Sequence, residues 1–193
     1  MFASLDTHQS VYRERLLEHL LVGELLKHSW LHADATLEVS QPSIDRSGYD
    51  MVLEVDGVTR HVQFKSSAVG ARASTQKVHI GLASKPSACV IWTRFDSNTM
   101  ALGPFYFFGG GPGEPLPSLK SFPTAKHTKA NADGVKLERP NLTVVCISRF
   151  RKLDDIPSLY AELFVRGRIL AVENEGNGQI AQSNFAELNA APG

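Results

Sequence analysis

The chain has 193 residues, 42% hydrophobic and 21% charged, with 20 basic and 20 acidic side chains and a formal net charge of zero. That length fits one domain of about 100–200 residues. The composition excludes a chain disordered throughout and a simple polycationic coat for nucleic acid. Apolar runs such as 142–147 (LTVVCI) break within a few residues, whereas a membrane span needs about 20, so no membrane partner is expected. Residues 1–9 carry Asp6, His8 and Gln9 and no apolar leader, and Cys89 and Cys146 sit in strand-like runs. Both cysteines read as buried thiols, and a reducing cytoplasm is the expected location.

The neutrality is regional cancellation. Between Lys120 and Lys152 eight Lys/Arg face only Asp133 and Glu138, while from Asp154 to Gly193 six acids face two bases.

In chain order, Val11–His28 (VYRERLLEHLLVGELLKH) has apolar residues at helical spacing, with Ser10 as its expected N-cap. Ala35–Ser40 reads as a strand and Gln41–Ser47 as a loop. Gly48–Ser67 (GYDMVLEVDGVTRHVQFKSS) reads as a hairpin about Asp56-Gly57. Strand alternation sets Gln63 and Lys65 on one face. Ala68–Gln76 is small and polar, an expected loop. Ala88–Phe95 and Leu102–Phe108 read as strands, Gly109–Pro117 as a turn, and Leu142–Ile147 as a late strand. Asp155–Val165 is a short helix with Asp154 or Asp155 at its cap and Pro157 in its first turn. Helical turns are also expected near Gln182–Leu188. This order predicts an α/β or α+β fold on one central sheet.

Chemistry concentrates at Asp50, Gln63 and Lys65. Asp50 and Gln63 lie thirteen residues apart across the tight turn, so the chain returns and brings them near one another. A hard cation needs oxygen ligands: Asp50 offers a carboxylate, Gln63 an amide oxygen, and Phe64 a backbone carbonyl. Lys65 beside such an ion would contact a water or a substrate phosphate. Glu14, Glu18 and Glu24 are candidates for a further ligand from the first helix. Glu18, among Leu16, Leu17, Leu20 and Leu21, is best placed to face a sheet. The bland alternative is a turn-capping Asp50, with Gln63 and Lys65 on a solvated sheet face.

A helix with an inward Glu, followed by a D-x(12)-(D/E/Q)-x-K hairpin, resembles the PD-(D/E)xK nuclease superfamily in its Holliday-junction-resolvase-like branch. The matching stretches are Glu18–His28, Gly48-Tyr49-Asp50 and Val62-Gln63-Phe64-Lys65-Ser66, within roughly the first 95 residues. The resemblance implies an α/β restriction-endonuclease-like fold, with a mixed central sheet flanked by helices. It implies a Mg2+- or Mn2+-dependent nuclease acting on DNA in defence, restriction or repair. Asp50 would be a metal ligand, Gln63 the second acidic position, Lys65 the catalytic lysine and Glu18 the helix carboxylate. Two positions depart from the pattern: Gln63 stands for the usual Asp or Glu, and Tyr49 precedes Asp50 in place of proline. The lost charge weakens the expected hold on Mg2+. It also leaves open a second reading, a DNA-binding or protein-interaction module that cleaves slowly or not at all.

Lys126, His127, Lys129, Lys136 and Arg139 are the expected nucleic-acid contacts, with Asn131 or Asn141 at sugar or base edges. Phe105–Phe108 is expected to be mostly core. His28 and His32 have zinc-like spacing, but no third ligand accompanies them. The nuclease-like domain is expected over residues 1–166, followed by a polar tail over 167–193. Two scissions need two sites, so a homodimer is expected, with defence or repair proteins as further partners.

Overall fold

The computed structural model describes residues 3–44, 47–130 and 134–165. Expectations for Asn131, for the tail 167–193 and for its turns at 182–188 fall outside the described residues.

Helix α1 spans Ala3–His28 and continues into one wider π-turn, Ser29–Ala33. It begins seven residues before Ser10, which is therefore interior and not the cap. No Pro or Gly interrupts residues 3–9, so nothing stops the helix from extending upstream. Leu17, Leu21 and Leu25 are wholly buried and line one helix face at i, i+4 spacing.

Strands β1 (Leu37–Ser40), β2 (Met51–Val55) and β3 (Val58–Ala68) form an antiparallel meander. Asp56 and Gly57 both have positive φ, 48° and 79°, as a two-residue hairpin turn requires. The expected loop 68–76 is shorter than the sequence suggests. β3 runs through Ala68, and a strand absent from the sequence reading, β4, occupies Thr75–His79. A 3₁₀ turn over Ile80–Ser84 then leads to β5 (Ala88–Phe95), which pairs parallel with β3. Strand β6 (Leu102–Gly109) returns antiparallel to β5. β7 (Thr124–Lys126) and β8 (Glu138–Cys146) pair antiparallel, and β9 (Arg151–Leu153) joins β6. Helix α2 (Ile156–Phe164) closes the described chain; its cap is Asp155, whose carboxylate accepts the Ser158 N–H at 2.8 Å, and Pro157 lies in the first turn.

The result is a mixed α/β architecture. A six-stranded mixed sheet runs in the order β1-β2-β3-β5-β6-β9, and β4-β8-β7 make a separate three-stranded sheet. One core packs α1 and α2 on the large sheet through Leu17, Leu21, Val62, Phe64, Ile91 and Leu159. A second core fills the opposite face with Val78, Leu82, Val90, Trp92, Phe108 and Val145. β5 is buried on both faces, as its continuous apolar run requires. Phe105, Phe107 and Phe108 are core residues and Tyr106 is half-buried. A parallel β3–β5 pair obliges the chain between them to travel back along the sheet. That return segment carries β4 onto the face bearing Gln63 and Lys65.

Cys89 is buried, and burial raises its thiol pKa. Cys146 is exposed, which corrects the reading of both cysteines as buried. It follows the buried Thr143 and Val145 by alternation, so its side chain points away from the core at the strand end. Among the described residues no helix is long and apolar enough to cross a membrane.

Candidate functional site

The site begins with the register of β3. Val55 opposes Val58, Leu53 opposes Arg60 and Met51 opposes Val62. Alternate residues of β3 therefore turn their backbone polar groups toward β2, and Phe64 is next in that series. β2 ends at Met51, so Phe64 lies beyond its partner strand. Asp50 takes the partner's place: its N–H donates to the Val62 carbonyl at 2.8 Å, and its carboxylate accepts the Phe64 N–H at 2.7 Å. Because a strand residue directs both polar groups to one edge, the Phe64 carbonyl faces the same open edge as Asp50.

Glu18 joins Asp50 in one cleft of about 340 Å³, together with Glu14, Arg15, Gln41 and Tyr49. The Glu18 side chain is 12% exposed and pairs with Arg15 at 3.0 Å. Glu24 is engaged with Lys27 along the helix and does not line this cleft. The oxygen donors at this edge are thus Asp50, the Phe64 carbonyl and Glu18, a hard set suited to a Mg2+-like cation. Among the described residues no group of three or more His, Cys, Asp or Glu side chains is gathered to hold a metal ion.

Gln63 and Lys65 open on the other face of β3. They line a larger cleft of about 580 Å³ with Lys77, His79, His127 and Arg139. Gln63 is 5% exposed, and its amide oxygen accepts the His79 N–H at 3.2 Å. That bond fixes the orientation of the amide and commits one lone pair of the oxygen. The carboxylates and the Gln63–Lys65 pair therefore flank one strand from two sides.

Of the expected nucleic-acid contacts, His127 and Arg139 line the large cleft, as does Asn141. Lys129 lies in an adjoining groove of about 370 Å³ that shares His127. Lys126 and Lys136 are exposed and line neither. Lys77 and His79 were missed by the sequence reading. The alternation of TQKVH, with Val78 wholly buried between them, is the signal that marks their strand. Gly109–Gly113 is a turn and not a phosphate loop: Glu114 accepts the Gly111 N–H at 2.6 Å, occupying the donor a phosphate would need. Arg60, wholly buried, donates to the carbonyls of Gly111 at 2.7 Å and Gly110 at 2.9 Å and lies over the Phe107 ring. The His28 and His32 rings lie 5.2 Å apart and tilted, and the His28 ring lies 4.8 Å from that of Tyr160.

No protein-family model matches this chain, and no curated protein or solved structure matches it.

Proposed function

We propose that this protein is a metal-dependent nuclease of restriction-endonuclease-like fold, hydrolysing phosphodiester bonds of DNA. The observation that carries the reading is the Asp50 carboxylate anchored on the Phe64 N–H, at an open strand edge one residue before Lys65. Two further observations support it: Glu18 lines the same cleft as Asp50, and Lys65 opens into a cleft with a local excess of basic side chains.

Asp50, the Phe64 carbonyl and Glu18 would hold Mg2+ or Mn2+, while Gln63, on the other face of β3, is committed to the His79 N–H. Such an ion, when bound, supplies a Lewis acid for the phosphoryl oxygens and makes its water more acidic. The chain's own contribution is positional. Lys65 offsets charge developing on the phosphate as the attacking oxygen approaches. Lys77 and Arg139 hold the flanking strand by its phosphates. Asp50 keeps its position because the Phe64 N–H takes one of its oxygens.

The test is cleavage of supercoiled, branched and single-stranded DNA with Mg2+, Mn2+ or EDTA. Wild type is compared with Asp50→Asn and Lys65→Ala. Metal-dependent cutting lost in both variants is the expected result; cutting that survives EDTA would sink the proposal.

One observation favours a second reading, a module that binds DNA and cleaves slowly or not at all. The Gln63 oxygen is already engaged by the His79 N–H, so the second acidic position lacks both charge and an uncommitted oxygen. Binding without any metal-dependent cutting in the same assay would select it.

A further inference from the structure

Three separate features of the large cleft serve one side chain that the proposed chemistry does not use. First, Gly48 has a φ of +75°, and a Cβ built on it would lie 2.1 Å from the His79 Cβ. Only glycine leaves room there for the His79 side chain. Second, Gln63 is nearly buried and spends its amide oxygen on the His79 N–H. Third, the Gly81 N–H donates to His79 Nδ1 at 3.1 Å. An N–H can donate only to an unprotonated ring nitrogen, so the ring proton is on Nε2. His79 is thus held by its backbone, its Cβ and one ring nitrogen, and it keeps a donor of fixed direction.

The surroundings say what that donor is for. His79 is half-buried and lines the cleft of about 580 Å³ together with Lys65, Lys77, His127 and Arg139. One acid, Glu138, lies among them. A neutral N–H in a cleft that also holds two lysines forms a receptor for an anionic oxygen: the lysines supply charge and the imidazole supplies direction. The cleft is within the range of small-ligand sites, about 300–1,000 Å³, enough for one strand's phosphate and sugar.

We infer that His79 is a phosphodiester-binding residue: its Nε2–H donates to a non-bridging oxygen of a nucleic-acid strand lodged in the large cleft that Lys65 and Lys77 also line. The inference rests on the proposed function for its ligand but needs neither metal nor cleavage. It makes Gln63 and Gly48 positioning residues for His79.

The experiment measures binding of a fluorescent single-stranded DNA of about 15 nucleotides to the full chain in EDTA, with inorganic phosphate as competitor. His79→Ala is expected to weaken binding about tenfold. His79→Gln, which keeps an N–H near the Nε2 position, stays within about threefold of wild type. A histidine nitrogen-15 spectrum of the wild type should show protonated Nε2 and bare Nδ1, with Nε2 moving on addition of the strand. Equal binding by wild type and His79→Ala overturns the inference, as does a wild type that binds no strand in EDTA. If His79→Ala fails to fold, the nitrogen spectrum decides alone: an Nε2 signal unmoved by saturating strand overturns it. Failure of the nuclease reading looks different, namely His79-dependent binding with no metal-dependent cutting.

Discussion

The Asp50 carboxylate and the Phe64 N–H are joined at 2.7 Å, tying a residue outside the hairpin to the strand edge next to Lys65. This bond lets the structural and chemical roles of Asp50 be separated. Asn keeps an acceptor oxygen and loses the charge; Ala leaves the Phe64 N–H unmatched. Asp50→Asn is therefore expected to melt close to wild type yet lose metal-dependent cleavage. Asp50→Ala is expected to lose about 1–2 kcal/mol of stability as well. Denaturant titration beside the plasmid assay checks both.

Gln63 offers the converse experiment. Gln63→Glu retains an oxygen to accept the His79 N–H and adds the negative charge that the resembling family carries at this position. The expected outcome is a normal fold and a metal half-saturation lowered about tenfold, measured by cleavage against Mg2+ concentration. An unchanged metal dependence would show that a charge at position 63 is not felt by an ion on the other side of β3.

Arg60 is wholly buried and bridges the hairpin to the Gly-rich turn through two carbonyls. Arg60→Ala removes both bonds and opens a cavity under Phe107, and is expected to cost about 3–5 kcal/mol. Arg60→Lys recovers only part of this, since an ammonium lacks the fork that reaches two adjacent carbonyls. Urea unfolding of the two variants provides the comparison.

The π-turn after α1 makes stability depend on pH. Burial first, and then the neighbouring His32, hold the His28 pKa below the ordinary histidine range. The unfolded chain then binds the proton more tightly than the folded one. This contribution to stability is fully present above the unfolded value and is lost as pH falls below it toward the folded value. Melting temperature is expected to drop between about pH 7.5 and 5.5, and less so in His32→Ala. Thermal scans across that range, with proton NMR titration of His28, test the sign.

Much of the fold was legible because the signals were local. Asp56-Gly57 fixed the hairpin, alternation fixed the faces of Gln63 and Lys65, and Asp155 with Pro157 marked the start of α2. What stayed hidden depends on partners far along the chain. The oxygen of Gln63 meets the backbone of His79, sixteen residues away, and nothing near Gln63 announces it. Arg60 falls on the apolar face of its strand, where pattern alone treats it as an interruption; its partners are some fifty residues on. Cys146 sits in an apolar run but is the last residue of β8 and turns outward, a matter of where the core ends and not of composition. The division of the expected site between two faces of β3 also needed three dimensions, because spacing reports proximity along a hairpin but not which side of the sheet a cleft opens on.

The return segment between Ala68 and Ala88 completes the parallel β3–β5 ladder and forms one wall of the large cleft, whose remaining wall comes from residues as late as Leu142. The hairpin carrying Lys65 is a local structure of the kind that forms within about 1–10 μs, whereas the parallel pair waits on a long-range closure. A chain being synthesised therefore carries its charged strand well before the pocket around it exists. The large cleft is complete only once β8 has paired with β4, since residues 138–142 of β8 line it.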